Sequence, residues 1–186
     1  MLTDVIDICS RKLVGKEITK TATTNDALKA IKTALLENNI TSDIILKNDN
    51  GPQFTSVKFE HFCKLNNMYH ELIPTNSPNY NAHIESFHFL LSKKCLAWYD
   101  IENFTHGYMI IHEYIKFYNE ERIHVSLNCM SPNELIIIRM KLLKIRGAIR
   151  FLLQNILQLE RCSELYIQID TLTSKEQYDI LCVEVV

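Results

Sequence analysis

The chain has 186 residues, 47% of them hydrophobic and 23% charged, with a formal net charge of −2. This composition is typical of one soluble globular domain with or without a tail, and it excludes wholly disordered, collagen-like and coiled-coil chains. The near-neutral charge excludes a basic field over the whole surface, although a local basic patch is compatible with it. No apolar run approaches the ~18 residues of a membrane span, so we expect no membrane partner. Six singly spaced cysteines favour reduced thiols and a cytoplasmic protein.

The first half of the chain predicts a hairpin followed by alternating helices and strands. Alternating β-branched and apolar residues predict strands over 2–9 and 13–18. Thr23 or Thr24 is expected to cap a helix that ends near Glu37. The apolar run 44–46 predicts a strand that is buried on both faces.

The next segments continue this alternation. Residues 56–65 predict a short helix, 68–73 a strand, and 81–99 and 104–119 two longer helices. Strands that alternate with helices after an opening hairpin predict an α/β protein with a sheet of mixed direction.

The character of the sequence changes beyond Met140. Residues 141–160 predict a basic amphipathic helix, and 166–169 and 180–183 predict short β pieces. We therefore expect two domains, a core over 1–138 and a separately packed tail over 139–186.

Two acidic residues are candidates for metal-dependent chemistry. Asp49 follows the predicted strand 44–46, and Glu85 lies early in the predicted helix 81–99. A carboxylate just past a strand projects into the crevice where α/β proteins hold ligands. Phosphodiester chemistry on two metal ions ~3.5–4 Å apart uses carboxylates from different elements, and such oxygen ligands suit Mg²⁺ or Mn²⁺. With 22 acidic residues in the chain, the pair alone also fits a solvated turn aspartate and a surface glutamate.

Four segments give this pair its context. They are 7–15 (DICSRKLVG), 46–56 (LKNDNGPQFTS), 81–88 (NAHIESFH) and 114–127 (YIKFYNEERIHVSL) with 130–134 (MSPNE). In their order, and in the thirty-five residues between Asp49 and Glu85, these segments resemble the motifs of bacterial insertion-sequence transposases whose catalytic core is similar to retroviral integrase. The resemblance covers roughly residues 1–138.

The resemblance implies a ribonuclease-H-like mixed sheet flanked by helices and a catalytic triad of two aspartates and one glutamate. It implies metal-dependent cleavage and strand transfer in DNA transposition, with Asp49 and Glu85 as catalytic and metal-binding residues for Mg²⁺ or Mn²⁺. The implied partners are transposon-end DNA, target DNA and further copies of the chain. The implied location is the bacterial cytoplasm, in association with the nucleoid.

The chain departs from the family pattern at its beginning. The family's first catalytic aspartate lies on a strand ahead of the hairpin motif, and this chain begins at that hairpin. Asp7 matches a structural position before the turn, and Asp4 is not aligned with the first aspartate either. We therefore expect a sheet that lacks its central first strand and a triad that lacks one member.

Four further residues are candidates for DNA contacts. His88 can share a helical face with Glu85 because three residues separate them. Lys93 and Lys94 lie two helical turns beyond Glu85, on a helix that faces DNA in the family. Arg122 belongs to the last motif. The alternative interpretation of the two lysines is a solvated helix end. The alternative interpretation of the motif that contains Arg122 is packing against the core.

Three functional interpretations remain open at the level of sequence. The chain is the catalytic core of a transposase, an inactive truncated remnant, or a DNA-binding or oligomerising fragment that interferes with full-length transposase. The missing acid and the missing strand predict that the chain alone has no strand-transfer activity.

Overall fold

The structure, a computed structural model, describes residues 1–38, 44–74, 82–160 and 181–185, with side chains as far as Leu152. Its centre is a sheet of mixed direction, as the sequence predicts, and this sheet has five strands. The strands are β1 (Leu2–Asp7), β2 (Leu13–Ile18), β3 (Ile44–Asn48), β4 (Met68–Leu72) and β5 (Leu181–Val185). Their order across the sheet is β2-β1-β5-β3-β4.

The sheet is mixed because β5 joins an antiparallel half to a parallel half. β1 pairs antiparallel with β2, and β3 pairs parallel with β4. Between them, β5 runs antiparallel to β1 and parallel to β3, so that Val183 is in register with both Asp7 and Leu46.

This arrangement corrects the expectation of an unpaired gap in the middle of the sheet. The strands on either side of the expected gap, β1 and β3, both pair with β5, which comes from the C-terminal end of the chain. The expectation that 180–183 belongs to a separate tail is wrong for the same reason. Unpaired backbone groups at a buried position cost ~1–3 kcal/mol each. A strand from any part of the chain can pair with these groups, because backbone hydrogen bonds do not depend on the sequence.

Helix α1 (Thr24–Glu37) begins after one of its two predicted caps, and α2 (Val57–Leu65) lies within its predicted range. Thr23 caps α1 in a capping box, in which its backbone N–H donates to Asp26 Oδ2 at 3.0 Å. Gly15 lets α1 approach β2 closely, since a Cβ atom there would lie 2.3 Å from the carbonyl oxygen of Ala30.

The predicted helix over 81–99 is three consecutive pieces. α3 (Ala82–Leu90) continues as a π-helical turn (Leu91–Cys95) and a 3₁₀ turn (Leu96–Trp98). α4 (Phe104–Glu120) follows, with the Asn103 side chain accepting a hydrogen bond from the backbone N–H of His106 at 2.9 Å.

Apolar side chains cover both faces of the sheet. The cluster on the first face, the α1-side core, includes Val5, Ala27, Ile31, Leu46, Phe54 and Phe59. The cluster on the second face, the α3-side core, includes Ile6, Ile84, Phe87, Leu91, Tyr114 and Tyr118. Adjacent residues Val5 and Ile6 divide between the two, as strand alternation requires.

The chain divides into two compact units, Met1–Asn133 with Ile180–Val186, and Glu134–Asp179. The second unit contains most of α5 (Pro132–Glu160), which begins nine residues earlier than predicted. The predicted piece 166–169 lies outside the described residues, and the functional division at 138/139 stays a prediction. None of the helices in the described ranges is long and apolar enough to cross a membrane.

Candidate functional site

Asp49 lies in a tightly hydrogen-bonded turn directly after β3. Its Oδ1 accepts a hydrogen bond from the backbone N–H of Gly51 at 2.9 Å. Asn50 ties the same turn to β4's end by donating to the carbonyl of Ile73 at 2.8 Å, and Asn48 donates to the Asp49 carbonyl at 2.9 Å. The turn therefore holds a half-exposed carboxylate at a fixed place at the carboxyl end of a parallel strand.

Glu85 lies in the first turn of α3 with its side chain exposed. The helix is anchored by Ile84 and Phe87, both fully buried in the α3-side core. The N-terminal end of a helix stabilises a negative charge, so this turn is a suitable place for an ionised carboxylate. That Asp49 and Glu85 meet across one crevice stays a prediction.

Asp49 and Glu85 are the two acids that the resemblance assigns to the family's three-acid metal site, and this assignment stays a prediction. Among the residues that the structure describes, no three His, Cys, Asp or Glu side chains come together in a way that could hold a metal ion. Carboxylate oxygens suit Mg²⁺, which binds through one or two carboxylates together with waters and substrate phosphates. Asp49 and Glu85 carry oxygen donors of this kind, and their sharing of one ion stays a prediction.

His88 and Asp4 form a buried polar contact on the same helix as Glu85. The distance from His88 Nε2 to Asp4 Oδ1 is 2.9 Å, and the Asp4 side chain is fully buried. The second carboxylate oxygen, Asp4 Oδ2, is buried without a hydrogen-bond partner.

The two groups shift each other's protonation. Burial raises the pKa of the Asp4 carboxyl, although the hydrogen bond and the charge of His88 act to lower it. Burial acts to lower the pKa of His88, but the hydrogen bond and the charge of Asp4 outweigh it and raise that pKa above its ordinary value. The pair therefore keeps its proton to a higher pH than a free histidine does.

The other predicted DNA contacts occupy two different environments. Lys93 and Lys94 are exposed in the π-helical turn after α3. Arg122 is half-buried instead, with its Nη1 at 3.0 Å from His124 Nε2 and its guanidinium 5.6 Å from the Tyr118 ring centre. Burial and the Arg122 charge lower the pKa of His124 to about 4, so this histidine is neutral near pH 7. The structure thus favours packing for Arg122 and leaves the lysines free to meet a ligand.

Asp4 is the residue whose place the sequence analysis missed. Asp4 does not align with the first catalytic aspartate of the family, and in the structure it pairs with His88. One signal was present, because Asp4 stands two residues from Ile6 in an alternating strand and so belongs to a buried face. A charged residue at such a position is uncommon unless it is paired.

Two family models match the first unit. Each is described as "Integrase core domain", and they cover residues 1–78 and 66–132. Asp49 lies in the first of these ranges and Glu85 in the second.

Curated relatives match over parts of their length. An uncharacterised 31.7 kDa protein of insertion element IS407 from Burkholderia multivorans is 33% identical over 89 residues, 48% of this chain and 32% of that protein. A putative integrase of Spiroplasma virus SpV1-C74 is 33% identical over 150 residues, 69% of this chain and 40% of that protein. The chain thus spans well under two thirds of either relative.

Solved structures of integrase cores have the same fold. The catalytic core domain of BIV integrase matches with a TM-score of 0.55 at 20% identity, over 77% of this chain and 89% of that one. The HTLV-2 integrase core, solved with magnesium in a trimeric form, matches with a TM-score of 0.50 at 16% identity, over 70% and 81%. The expected ribonuclease-H-like fold is confirmed.

Proposed function

Residues 1–132 belong to the integrase core domain family, and from this premise we propose that the chain carries out strand transfer in DNA transposition. The observation that supports this most is the position of the two acids. Asp49 is fixed at the carboxyl end of β3 and Glu85 in the first turn of α3, each within a matched range. The family functions in the integration or transposition of DNA. We propose that this chain catalyses the metal-dependent strand-transfer reaction itself.

In the proposed strand transfer one phosphodiester bond replaces another, whereas attack by water in the cleavage step leaves a 5′-phosphate and a free 3′-hydroxyl. The oxygen of a 3′-hydroxyl or of water forms a bond to phosphorus, and the bond from phosphorus to the leaving 3′ oxygen breaks. The attacking group loses its proton to solvent, and the leaving oxygen takes one up. Bond energy is conserved between like esters, so positioning and charge stabilisation are what the protein supplies.

Asp49 and Glu85 would hold a divalent cation, Mg²⁺ or Mn²⁺, which when bound offsets the negative charge of the reacting phosphate. The turn of Asp49 contributes a carboxylate whose second oxygen is left for this purpose, because Oδ1 already accepts from Gly51. Both acids are accessible to a large substrate such as duplex DNA. Lys93 and Lys94, exposed beyond α3, would contact backbone phosphates.

Self-association and a cytoplasmic location together with bacterial DNA belong to the same proposal. The HTLV-2 core was solved in a trimeric form, which supports assembly of this chain with copies of itself.

A joining assay tests the proposal. Supercoiled plasmid is the target, duplex oligonucleotides with recessed 3′-hydroxyl ends are the donors, and Mg²⁺ or Mn²⁺ is added. The sequence predicts no strand transfer partly because the central strand is missing, and β5 fills that place. We therefore expect joined product from the wild-type chain and none from Asp49→Asn or Glu85→Gln. Glu113→Gln, which alters an exposed acid of α4, is the matched control and should behave as wild type. Product from Asp49→Asn at the wild-type level would overturn the assignment.

One observation favours a second candidate, a fragment that binds DNA without joining it. The described residues bring no three metal-binding side chains together, whereas a two-ion site needs more negative charge than two carboxylates provide. The same assay separates the candidates, because a binding fragment shifts the oligonucleotide in a gel and forms no joined product with either cation.

A further inference from the structure

We propose that His88, held in place by the buried carboxylate of Asp4, binds a backbone phosphate of the DNA beside Glu85. This inference rests on the proposed function, since it names the substrate group that this part of the site would take. Asp4 is then a positioning residue that acts through His88.

The position of Asp4 is energetically costly. Its side chain is fully buried among the apolar side chains of the α3-side core, on the same face of β1 as Ile6. A buried ion pair adds little net stability, because removing both charges from water offsets most of their attraction. With Oδ2 left without a partner, Asp4 contributes less to stability than an apolar residue would. Packing does not explain why an aspartate occupies this buried position, whereas a role in orienting His88 does.

Asp4 fixes the position of the His88 imidazole. The Nε2–Oδ1 distance is 2.9 Å, and about a third of the His88 side chain, 32%, remains exposed. The ring also packs edge-to-face against Phe87, with ring centres 5.7 Å apart. His88 is one helical turn beyond Glu85, so a fixed ring with an exposed edge lies beside the predicted reaction centre.

The charge of such a ring decides which ligand it accepts. A histidine that binds a metal ion must be neutral. Asp4 instead favours the protonated ring, which donates hydrogen bonds from both nitrogens and accepts none. A protonated imidazole therefore suits an anion, and charge-assisted hydrogen bonds to phosphate are strong. Lys93 and Lys94 follow on the same segment, which favours an extended polyanion over a single phosphate ion.

The test measures how DNA binding depends on salt, without any divalent cation. Binding of a duplex oligonucleotide is followed by fluorescence anisotropy in EDTA over a range of NaCl concentrations. Each phosphate contact contributes about 0.9 to the slope of log K against log[salt]. The slope is negative, and we expect His88→Gln to reduce its magnitude by about 0.9. Asp4→Asn should reduce it by a similar amount. The double variant should lose no more than either single one, because Asp4 acts only through His88.

Two variants calibrate this result. His61→Gln alters an exposed histidine of α2 and should leave the slope unchanged. Lys93→Gln should reduce the magnitude of the slope by about 0.9, additively with His88→Gln. A purely structural role for Asp4 would change the unfolding midpoint of Asp4→Asn and leave its slope at the wild-type value, which would overturn the positioning role.

A measurement on the unaltered protein covers the case in which a variant does not fold. The imidazole ¹⁵N resonances of wild-type His88 should shift on addition of the duplex, and inorganic phosphate at equal concentration should shift them much less. Unmoved resonances, or an unchanged slope in a folded His88→Gln variant, would overturn the inference. Either result leaves the joining assay untouched, and failure of joining leaves the salt slope untouched, so the two proposals fail separately.

Discussion

The two faces of the sheet each place a histidine against a polar strand residue, with opposite results. On the α1-side face, His70 Nε2 lies 2.8 Å from the amide oxygen of buried Asn48. Burial lowers the pKa of His70, with only partial opposition from the charge of Glu60. On the α3-side face, the carboxylate of Asp4 raises the pKa of His88 in spite of burial.

Burial depth therefore does not decide whether a histidine packed against this sheet is protonated. His88 is more deeply buried than His70, yet its protonated form is the one that is favoured. The reason is that its partner, Asp4, carries a full charge. On the α1-side face the partner of His70 is the neutral amide of Asn48, so this contact adds no charged group to the core. A charged partner gives the α3-side face a proton-bearing group beside Glu85.

The largest expected effect removes the strand that both faces share. Val183→Pro deletes a backbone donor in β5, the strand that pairs with both β1 and β3. Unpaired buried groups cost ~1–3 kcal/mol each, and several of them approach a domain's whole stability of ~5–15 kcal/mol. We expect no cooperative unfolding transition in urea. Val183→Thr keeps the backbone donor and serves as the control; a normal transition for the proline variant would show that β5 is dispensable.

A matched pair of cavities tests whether the two faces form one cooperative unit. Phe59 and Phe87 are fully buried on opposite faces, and replacing either by alanine should cost about 3–5 kcal/mol. Chemical denaturation followed by both circular dichroism and fluorescence should give one coincident transition for each variant. Two separated transitions in Phe87→Ala alone would show that the α3-side face unfolds independently.

Removing each histidine should sharpen the contrast between the pairs. His88→Ala leaves the buried Asp4 carboxylate without compensation, which costs about 3 kcal/mol, the low end for a broken buried ion pair because part of His88 is exposed. His70→Ala leaves a neutral amide oxygen without its partner and should cost about 1–2 kcal/mol. Urea unfolding at pH 7 measures both, and equal losses would contradict the assignment of charge to one pair alone.

The pH dependence of stability should distinguish the same pairs by sign. Because the pKa of folded His88 is raised, its contribution is complete below the ordinary value of 6.5 and is lost as pH rises through the folded value. The raised pKa of Asp4 acts in the same direction, but its contribution begins to be lost already above the ordinary value of 3.8. Wild-type stability should therefore fall between pH 6.5 and 8.

Asp4→Asn should remove this fall. With an amide partner, burial alone acts on His88 and lowers its pKa, as it does for His70. The unfolded histidines still lose protons just above pH 6.5, so the stability of the variant should rise slightly there and then level off. The window ends at pH 8 because ionisation of Cys63, whose pKa burial raises to about 11, affects stability at higher pH. An equal fall in the variant would mean that another group is responsible.

The smallest expected effect concerns an exposed ion pair. Lys29 Nζ lies 3.3 Å from Glu17 Oε1, with the lysine side chain 60% exposed. Lys29→Ala should change the free energy of unfolding by only ~0.2–1 kcal/mol, and the change should shrink further in 0.5 M salt. A loss comparable to that of His88→Ala would remove the distinction between exposed and buried charge.

Elements that depend on interactions between residues close together in the chain are predictable from the sequence alone. Thr23 caps α1 through bonds to a residue three positions away, and the β1–β2 hairpin forms between neighbouring segments. Asp49 is held by the turn of residues that directly follow it. Such interactions depend on spacing along the chain, so residue order alone predicts them.

Tertiary structure decided what long-range pairing determines. Residues far apart in sequence meet in the centre of the sheet, where β5 pairs with β1, and in the contact of Asp4 with His88, 84 positions away. The sequence of a short apolar strand does not specify which strand it pairs with, because backbone hydrogen bonds are the same for any sequence. The empty place between β1 and β3, and the need to satisfy both edges, selected the partner.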